Sequence, residues 1–552
     1  MTTDAHAAPP LETSPDPDRA ASSSATRLEL ELEPGERWWG GAVEDGRAMP
    51  FGASPFRRDL GATSDERVSD GDAAGEPWNA PAKNQAAPLL VSTRGRVVWS
   101  ERPFAFEVTG THLVVIGSDL TAFRAGETLR EAFLAASRRF FAPSGVHPAL
   151  ELFTAPQVNT WIEQPYTPTQ ESVLAYARGV LDSGMQPGVL IIDDCWSPDY
   201  GTWEFDLGRF PDPVGMVRTL HDQGFRVMLW LVPWVSPDSA VFRRLESDGL
   251  LLRDRDGETV VRRWWNGFSA LLDISNPAAV AWLTERLDRL VHDVGIDGFK
   301  LDGGDVGDFR TDDRTTGGLV PAQMCEAWAA VGLRFPLNEY RACWRMGGQP
   351  LGQRLHDKPP SWGPDGIGSL VPEMLAQGMI GHPFVCPDMI GGGEIGAVSG
   401  QAGVDQEFFV RYAQVAALSP MMQFSIAPAR VLDGEHRSAV DEALRVRAEM
   451  MPVIVSLVTS AAHTGEPVIR PMAYHAPELT DVHDQFFLGP DVVVAPVLER
   501  GATVRTVVLP EGRWTDPDGA TVVGPAVVHV PCTLATIPRF VRAGGAGTRD
   551  TA

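Results

Sequence analysis

Acidic side chains carry most of the chemistry this sequence offers. Asp302 stands in Ile296-Asp297-Gly298-Phe299-Lys300-Leu301-Asp302-Gly303-Gly304-Asp305. The stretch reads as a short buried strand that delivers a carboxylate and then turns on two glycines. Strand side chains alternate faces, so Lys300 and Asp302 share one face while Phe299 and Leu301 take the other. A cation beside a carboxylate favours the ionised acid. An ionised, fixed carboxylate at a strand's C-terminal end is what a covalent glycosidase uses as nucleophile. The same two residues would also serve as a buried structural ion pair. Double displacement needs a second carboxyl, about 5–5.5 Å away, to protonate the leaving oxygen and then activate water. The candidate is Asp365 in Ser361-Trp362-Gly363-Pro364-Asp365-Gly366. Pro364 has a fixed φ and keeps Gly363 extended. Trp362 would exclude water and raise the acid's pKa. A plain turn fits those residues equally well.

The elements that must position these acids follow from the run of residue types. Residues 1–25 are mostly Ala, Pro, Ser, Thr and Asp without periodicity, the composition of a disordered tail. Residues 26–145 carry short alternating runs between Gly and Pro, such as Leu28–Leu32 and Thr111–Ile116, which predict an N-terminal β-sandwich. Over residues 146–460 strands and helices alternate. Ala149–Phe153, Val189–Asp194, Val227–Leu231 and the Asp302 segment read as strands, with others around Phe335–Asn338, His382–Asp388 and Met421–Ile426. Thr169–Ser183, Asp212–Gln223 and Pro277–Val294 read as helices. Asp194, Trp230, Asp302, Asn338 and Asp388 end strands, as active-site residues do in a (β/α)8 TIM barrel. An open doubly wound sheet is the alternative, but no GxGxxG follows a first strand. Residues 461–545 return to strand grammar and predict a small C-terminal β-domain.

The 552 residues carry 47 Lys plus Arg against 72 Asp plus Glu, a net charge of −25. Such a field repels nucleic acid and anionic lipid, so neither is expected as a partner. The five cysteines, Cys195, Cys325, Cys343, Cys386 and Cys532, are odd in number, widely spaced and free of CxxC. They suit a reduced, cytoplasmic protein. No secretory signal and no membrane-length apolar run is read from the sequence. None of the 12 histidines forms an HxH pair, so no metal and no cofactor is expected. A homo-oligomer is compatible with the sequence. Sixteen tryptophans against six tyrosines supply platforms for sugar rings, although core packing claims most of them.

Taken together, the motifs resemble glycoside hydrolase family 31, the retaining α-glycosidases. Lys300-Leu301-Asp302 resembles the family's nucleophile strand, and Trp362-Gly363-Pro364-Asp365 its Trp-x-Gly-Asp acid/base segment, with Gly and Pro in a different order. Asp388-Met389-Ile390-Gly391-Gly392, Asp484–Gly489, Val494–Val497 and Asn84-Gln85 with Pro88–Ser92 also resemble family segments. The resemblance implies a sugar pocket in which Asp194 holds distal hydroxyls and Trp230, Trp265, Lys300 and Arg341 line the site. Trp362 would stand beside the acid, and Asp388 would orient its neighbours. Many members carry Arg-x-His on the last barrel strand; here Gln423-Phe424-Ser425 takes that place. Trp161-Ile162-Glu163, His356-Asp357-Lys358 and Pro387-Asp388-Met389 resemble the branch that includes the myogenesis-regulating glycosidase, which implies α-galactoside cleavage.

The implied function is exo-acting, retaining hydrolysis of a terminal α-linked sugar, of α-galactoside or α-glucoside type, in an oligosaccharide or small glycoside. The alternatives are an α-transglycosylase or lyase on the same scaffold, and an inactive sugar-binding protein. Both carboxylates being present argues against the last.

Overall fold

A computed structural model describes residues 25–63, 80–82, 84–394 and 403–544. The tail expected over residues 1–25 lies, apart from Ala25, outside the described residues.

The centre is a closed parallel barrel of eight short strands. They are Gln157–Asn159, Val189–Ile192, Arg226–Leu231, Gly298–Leu301, Leu337–Tyr340, Gln353–Arg354, an interrupted seventh strand, and Gln423–Phe424. The seventh strand is split. Val385–Cys386 pairs with the sixth strand and Met389–Ile390 with the eighth. Gln423 pairs in turn with Gln157, which closes the ring. Strands this short are buried on both faces and read as apolar runs. Val189-Leu190-Ile191-Ile192 is an example, fully buried along its length.

The helices begin where the sequence places caps. Thr169 accepts from the Ser172 N–H at the start of Gln170–Asp182. Asp212 accepts from Gly215 before Pro213–Asp222, and Asn276 from Ala278 before Pro277–Arg289. Each cap satisfies an orphan backbone donor and fixes where its helix starts.

One expectation is corrected, and one strand was not anticipated. Ala149–Phe153 is not the first strand. Residues Glu151–Thr154 form a short helical turn, and the strand is Gln157–Asn159. A five-residue run with four apolar residues around Glu151 is too short to distinguish the two by periodicity. The sixth strand, Gln353–Arg354, is two residues long among glycines and prolines and has no period to read.

The described residues between 26 and 124 form two sheets. One orders Thr26–Glu31, His112–Gly117, Ala105–Val108 and Phe56–Asp59; the other centres on Gln85–Ser92, flanked by Trp38–Ala42 and Arg96–Trp99. They touch at Gly41, where a Cβ would lie 3.3 Å from the Phe106 ring. Cys343–Trp344, from the barrel, joins the second sheet as a strand parallel to Gln85–Ala86. Beyond the long helix Gly434–Thr464, a six-stranded sheet spans Ile469–Arg542 around a core of its own that includes Phe487, Val493, Leu509, Trp514 and Phe540. All five cysteines are free. Among the described residues, no helix is long and apolar enough to cross a membrane.

Candidate active site

At the C-terminal ends of the strands lies a cavity of about 850 Å³. The fourth strand delivers Asp302 to its wall, and the chain turns away through Gly303 and Gly304, both left-handed at φ 61° and 68°. A side chain at Gly304 would also strike Trp328, 2.5 Å from its Cδ1. Only glycine combines that conformation with that approach.

Asp302 is buried and fully engaged. Its Oδ1 accepts from Arg341 Nε at 2.8 Å and from the Gly303 N–H at 2.9 Å, while Oδ2 accepts from Trp230 Nε1 at 3.0 Å. Burial alone would raise its pKa. Arg341, then Lys300 and Arg354, with the Trp230 hydrogen bond, override it and hold the carboxyl well below the usual carboxylate range. Asp302 is therefore ionised at any physiological pH. Lys300 supports this from a distance. Its Nζ pairs with Asp193 Oδ2 at 2.7 Å, so the direct Lys300–Asp302 ion pair weighed from sequence is not the one formed.

Asp194 occupies another part of the wall. Its Oδ2 accepts from Asn266 Nδ2 at 2.8 Å and Tyr200 Oη at 3.1 Å, and Oδ1 is buried without a hydrogen-bond partner. Tyr166 Oη donates to Asn266 Oδ1 at 2.9 Å. Burial, then the charge of Asp193, pushes the Asp194 pKa up to about 6. An unmatched acceptor on a cavity wall is a seat for a hydroxyl donor.

Arg341 spans two acids. Beyond Asp302 it grips Asp305 with two hydrogen bonds of 3.0 and 2.6 Å. Asp308 receives the Asp305 N–H, and burial followed by the Asp305 charge raises its pKa to about 8. Trp265 is 50% exposed at the cavity, with the Arg341 guanidinium 5.6 Å from its ring centre.

Of the residues picked from sequence, Asp194, Trp230, Trp265, Lys300, Asp302 and Arg341 line one cavity. Asp365 and Trp362 do not. Asp365 is exposed, and Trp362 donates to Asp405 at 2.9 Å and packs on Phe408. Asp388 lies beneath the wall at φ 77°, accepting from the Lys358 N–H at 2.8 Å and from Arg354.

Asp357 also lines the cavity, one of several carboxylates there, with Asp193, Asp305, Asp308 and Glu394, that the motif reading left without a role. It follows the two-residue sixth strand, and Arg354 Nη1 at that strand's end holds its Oδ1 at 2.8 Å. Its side chain is 38% exposed. Gln423, on the last strand, is buried in the barrel. It bonds Glu339 at 2.6 Å, Gln157 at 3.0 Å and Asn159 at 3.2 Å, and does not line the cavity.

This barrel rim gathers a buried aspartate, an open carboxylate and aromatic walls, the kinds of group that glycoside chemistry uses. Residues 155–336 match the Glycosyl hydrolases family 31 TIM-barrel domain, and residues 465–546 the Glycosyl hydrolase family 31 C-terminal domain. The chain belongs to glycoside hydrolase family 31. It is 34% identical over 428 residues to the mouse (Mus musculus) myogenesis-regulating glycosidase, covering 74% of this chain and 57% of that protein. It is 25% identical over 400 residues to alpha-xylosidase XylQ of Lactiplantibacillus pentosus, covering 66% of this chain and 50% of that one. The chain thus spans roughly half the length of these relatives. Its fold matches a Flavobacterium johnsoniae GH31 dextranase complexed with glucose at a TM-score of 0.82 and 18% identity, over 95% of this chain and 67% of that one.

Proposed function

We propose that the protein is a retaining, exo-acting α-glycosidase that removes a terminal neutral α-linked hexose, of galactoside or glucoside type. Asp302 attacks the anomeric carbon while Asp357 protonates the departing glycosidic oxygen, leaving a glycosyl ester on Asp302. Asp357, now a carboxylate, takes a proton from water as that water attacks the same carbon. Asp302 leaves, and two inversions restore the α configuration.

The observation that carries this reading is that a buried Asp302 held by Arg341 and a half-open Asp357 line the same cavity. The acid role goes to Asp357 rather than Asp365 because a proton donor must reach the scissile oxygen, and Asp365 is exposed away from the lining. Asp194, with its unmatched Oδ1, takes hydroxyls of the non-reducing sugar, which suits removal of end residues. Lysine and arginine at the cavity are matched to acids, Lys300 to Asp193 and Arg341 to Asp302 and Asp305. That favours a neutral glycone over a sulfonated or carboxylated one. We read the two N-terminal sheets as a β-sandwich closing one side of the pocket, and the free thiols as those of a cytoplasmic protein.

The test is a panel of aryl α-glycosides, namely galactoside, glucoside, xyloside, N-acetylgalactosaminide and sulfoquinovoside, with the product anomer followed by NMR. Release of the α-anomer from a neutral glycoside supports the reading. Turnover of none, or release of the β-anomer, defeats it. Products formed with added acceptor sugars distinguish transfer from hydrolysis.

A further inference from the structure

His356 is adjacent to Asp357 and lines the same cavity, its side chain 25% exposed. The two-carboxylate chemistry gives it no task. Yet three nearly buried polar groups converge on its ring. Asn84 Nδ2, from the N-terminal sheets, is 2.9 Å from His356 Nδ1. Lys358 Nζ is 3.3 Å from Nε2, and Glu373 Oε2 is 3.8 Å from Nδ1. Lys358 and Glu373 pair with each other at 2.5 Å. Asn84, Lys358 and Glu373 are 3%, 0% and 4% exposed. Filling space would not require this; burying an ion pair and an amide against an imidazole is costly unless the ring's placement matters.

The neighbours say which end of the substrate it meets. Asp193, Asp194, Trp230 and Lys300 belong to the second, third and fourth strand ends, where the glycone sits in the proposed reaction. Asp357 must stand at the glycosidic oxygen, the border between the two sugars. His356 adjoins Asp357 in the chain, and its partner Asn84 ties it to the N-terminal region, which contributes Pro81 and Ala82 to the cavity lining. Gln85 fixes this arrangement. Its Nε2 donates to the Arg341 and Arg354 carbonyls at 2.6 and 3.0 Å, locking Asn84 against the ends of the fifth and sixth strands.

We infer that His356, gripped by Asn84 and the Lys358–Glu373 pair, selects the aglycone, contacting a neutral leaving sugar ring against the Pro81–Ala82 wall. The inference rests on the proposed glycosidase reaction. It is tested with two substrates sharing one glycone, an α-linked disaccharide and the α-glycosyl fluoride, whose leaving group has no ring. For His356→Ala the ratio of disaccharide to fluoride kcat/KM falls at least about tenfold, mostly through the disaccharide KM. Asn84→Ala moves the ratio the same way by a smaller factor, and His356→Gln recovers part of the loss. Binding of a glycone-sized iminosugar to each variant reports an intact pocket. An unchanged ratio in His356→Ala and Asn84→Ala, or equal loss on both substrates, overturns the inference while leaving the glycosidase reading standing. A wild-type protein that turns over neither substrate removes both.

Discussion

Arg354 and Asp357, three residues apart, form a 2.8 Å ion pair in which the cation is 1% exposed and the acid 38%. The guanidinium also reaches Glu339 at 3.3 Å and touches Asp388. One buried cation therefore ties the barrel's polar interior to the carboxylate proposed to move protons. The arrangement gives Asp357 a fixed side and a free side.

Asp357→Asn should lower kcat/KM on a disaccharide by about 10²–10⁴-fold, the usual worth of general acid–base catalysis. The loss should be smaller on an aryl glycoside with a good leaving group, and azide should restore turnover. Asp365→Asn should stay within about twofold of wild type, because an exposed side chain away from the wall touches no reacting atom. Steady-state kinetics on both variants decide the assignment, and the reverse ranking would return the role to Asp365.

Asp302→Ala should abolish turnover of every α-glycoside tried, since it removes the carboxylate proposed to form the covalent ester. Mass spectrometry of wild type inactivated with a fluorinated glycosyl fluoride should find the sugar on the peptide bearing Asp302. A label on any other carboxylate would refute the nucleophile.

Arg354→Met leaves Glu339, Asp357 and Asp388 without their shared cation. Removing one partner of a buried pair costs about 3–5 kcal/mol, so denaturant unfolding should show a loss of that order. A loss below about 1 kcal/mol would mean the network is solvated and does not brace Asp357.

Asp194 predicts opposite pH trends for activity and stability. Its folded pKa, about 6 through burial and then Asp193, exceeds the unfolded value of about 3.9. The folded state binds the proton more tightly, so its contribution to stability is full below about pH 4 and is lost as pH rises through about 6. Sugar hydroxyls need the ionised acceptor, so kcat/KM should rise through the same pH. In Asn266→Ala the acid limb should move upward, because a hydrogen bond favouring the charged form is gone. A limb that stays put would separate Asp194 from substrate binding.

Most of the barrel was legible because its long elements have a strong period and explicit caps. Thr169, Asp212 and Asn276 announce their helices, and Gly303-Gly304 announces the turn after Asp302. The strand before Asp302 was readable from its apolar residues and the glycine turn that ends it. Asp357 was not. It follows a two-residue strand with no alternation, while the neighbouring Trp362-Gly363-Pro364-Asp365 looked more like a motif. His356-Asp357-Lys358 was visible as a family-like triplet, but only the cavity gives it a role. Tyr166 and Asn266 belong to loops after different strands, and no spacing in one dimension brings them to Asp194.

Cys343–Trp344 adds to the N-terminal sheet beside Gln85–Ala86. A ribosome finishes residues 26–124 long before it reaches residue 343, so the growing chain carries an incomplete sheet edge through much of synthesis. The two regions must then mature together, and removing either as a separately expressed fragment would leave backbone amides and carbonyls exposed for stray strand pairing.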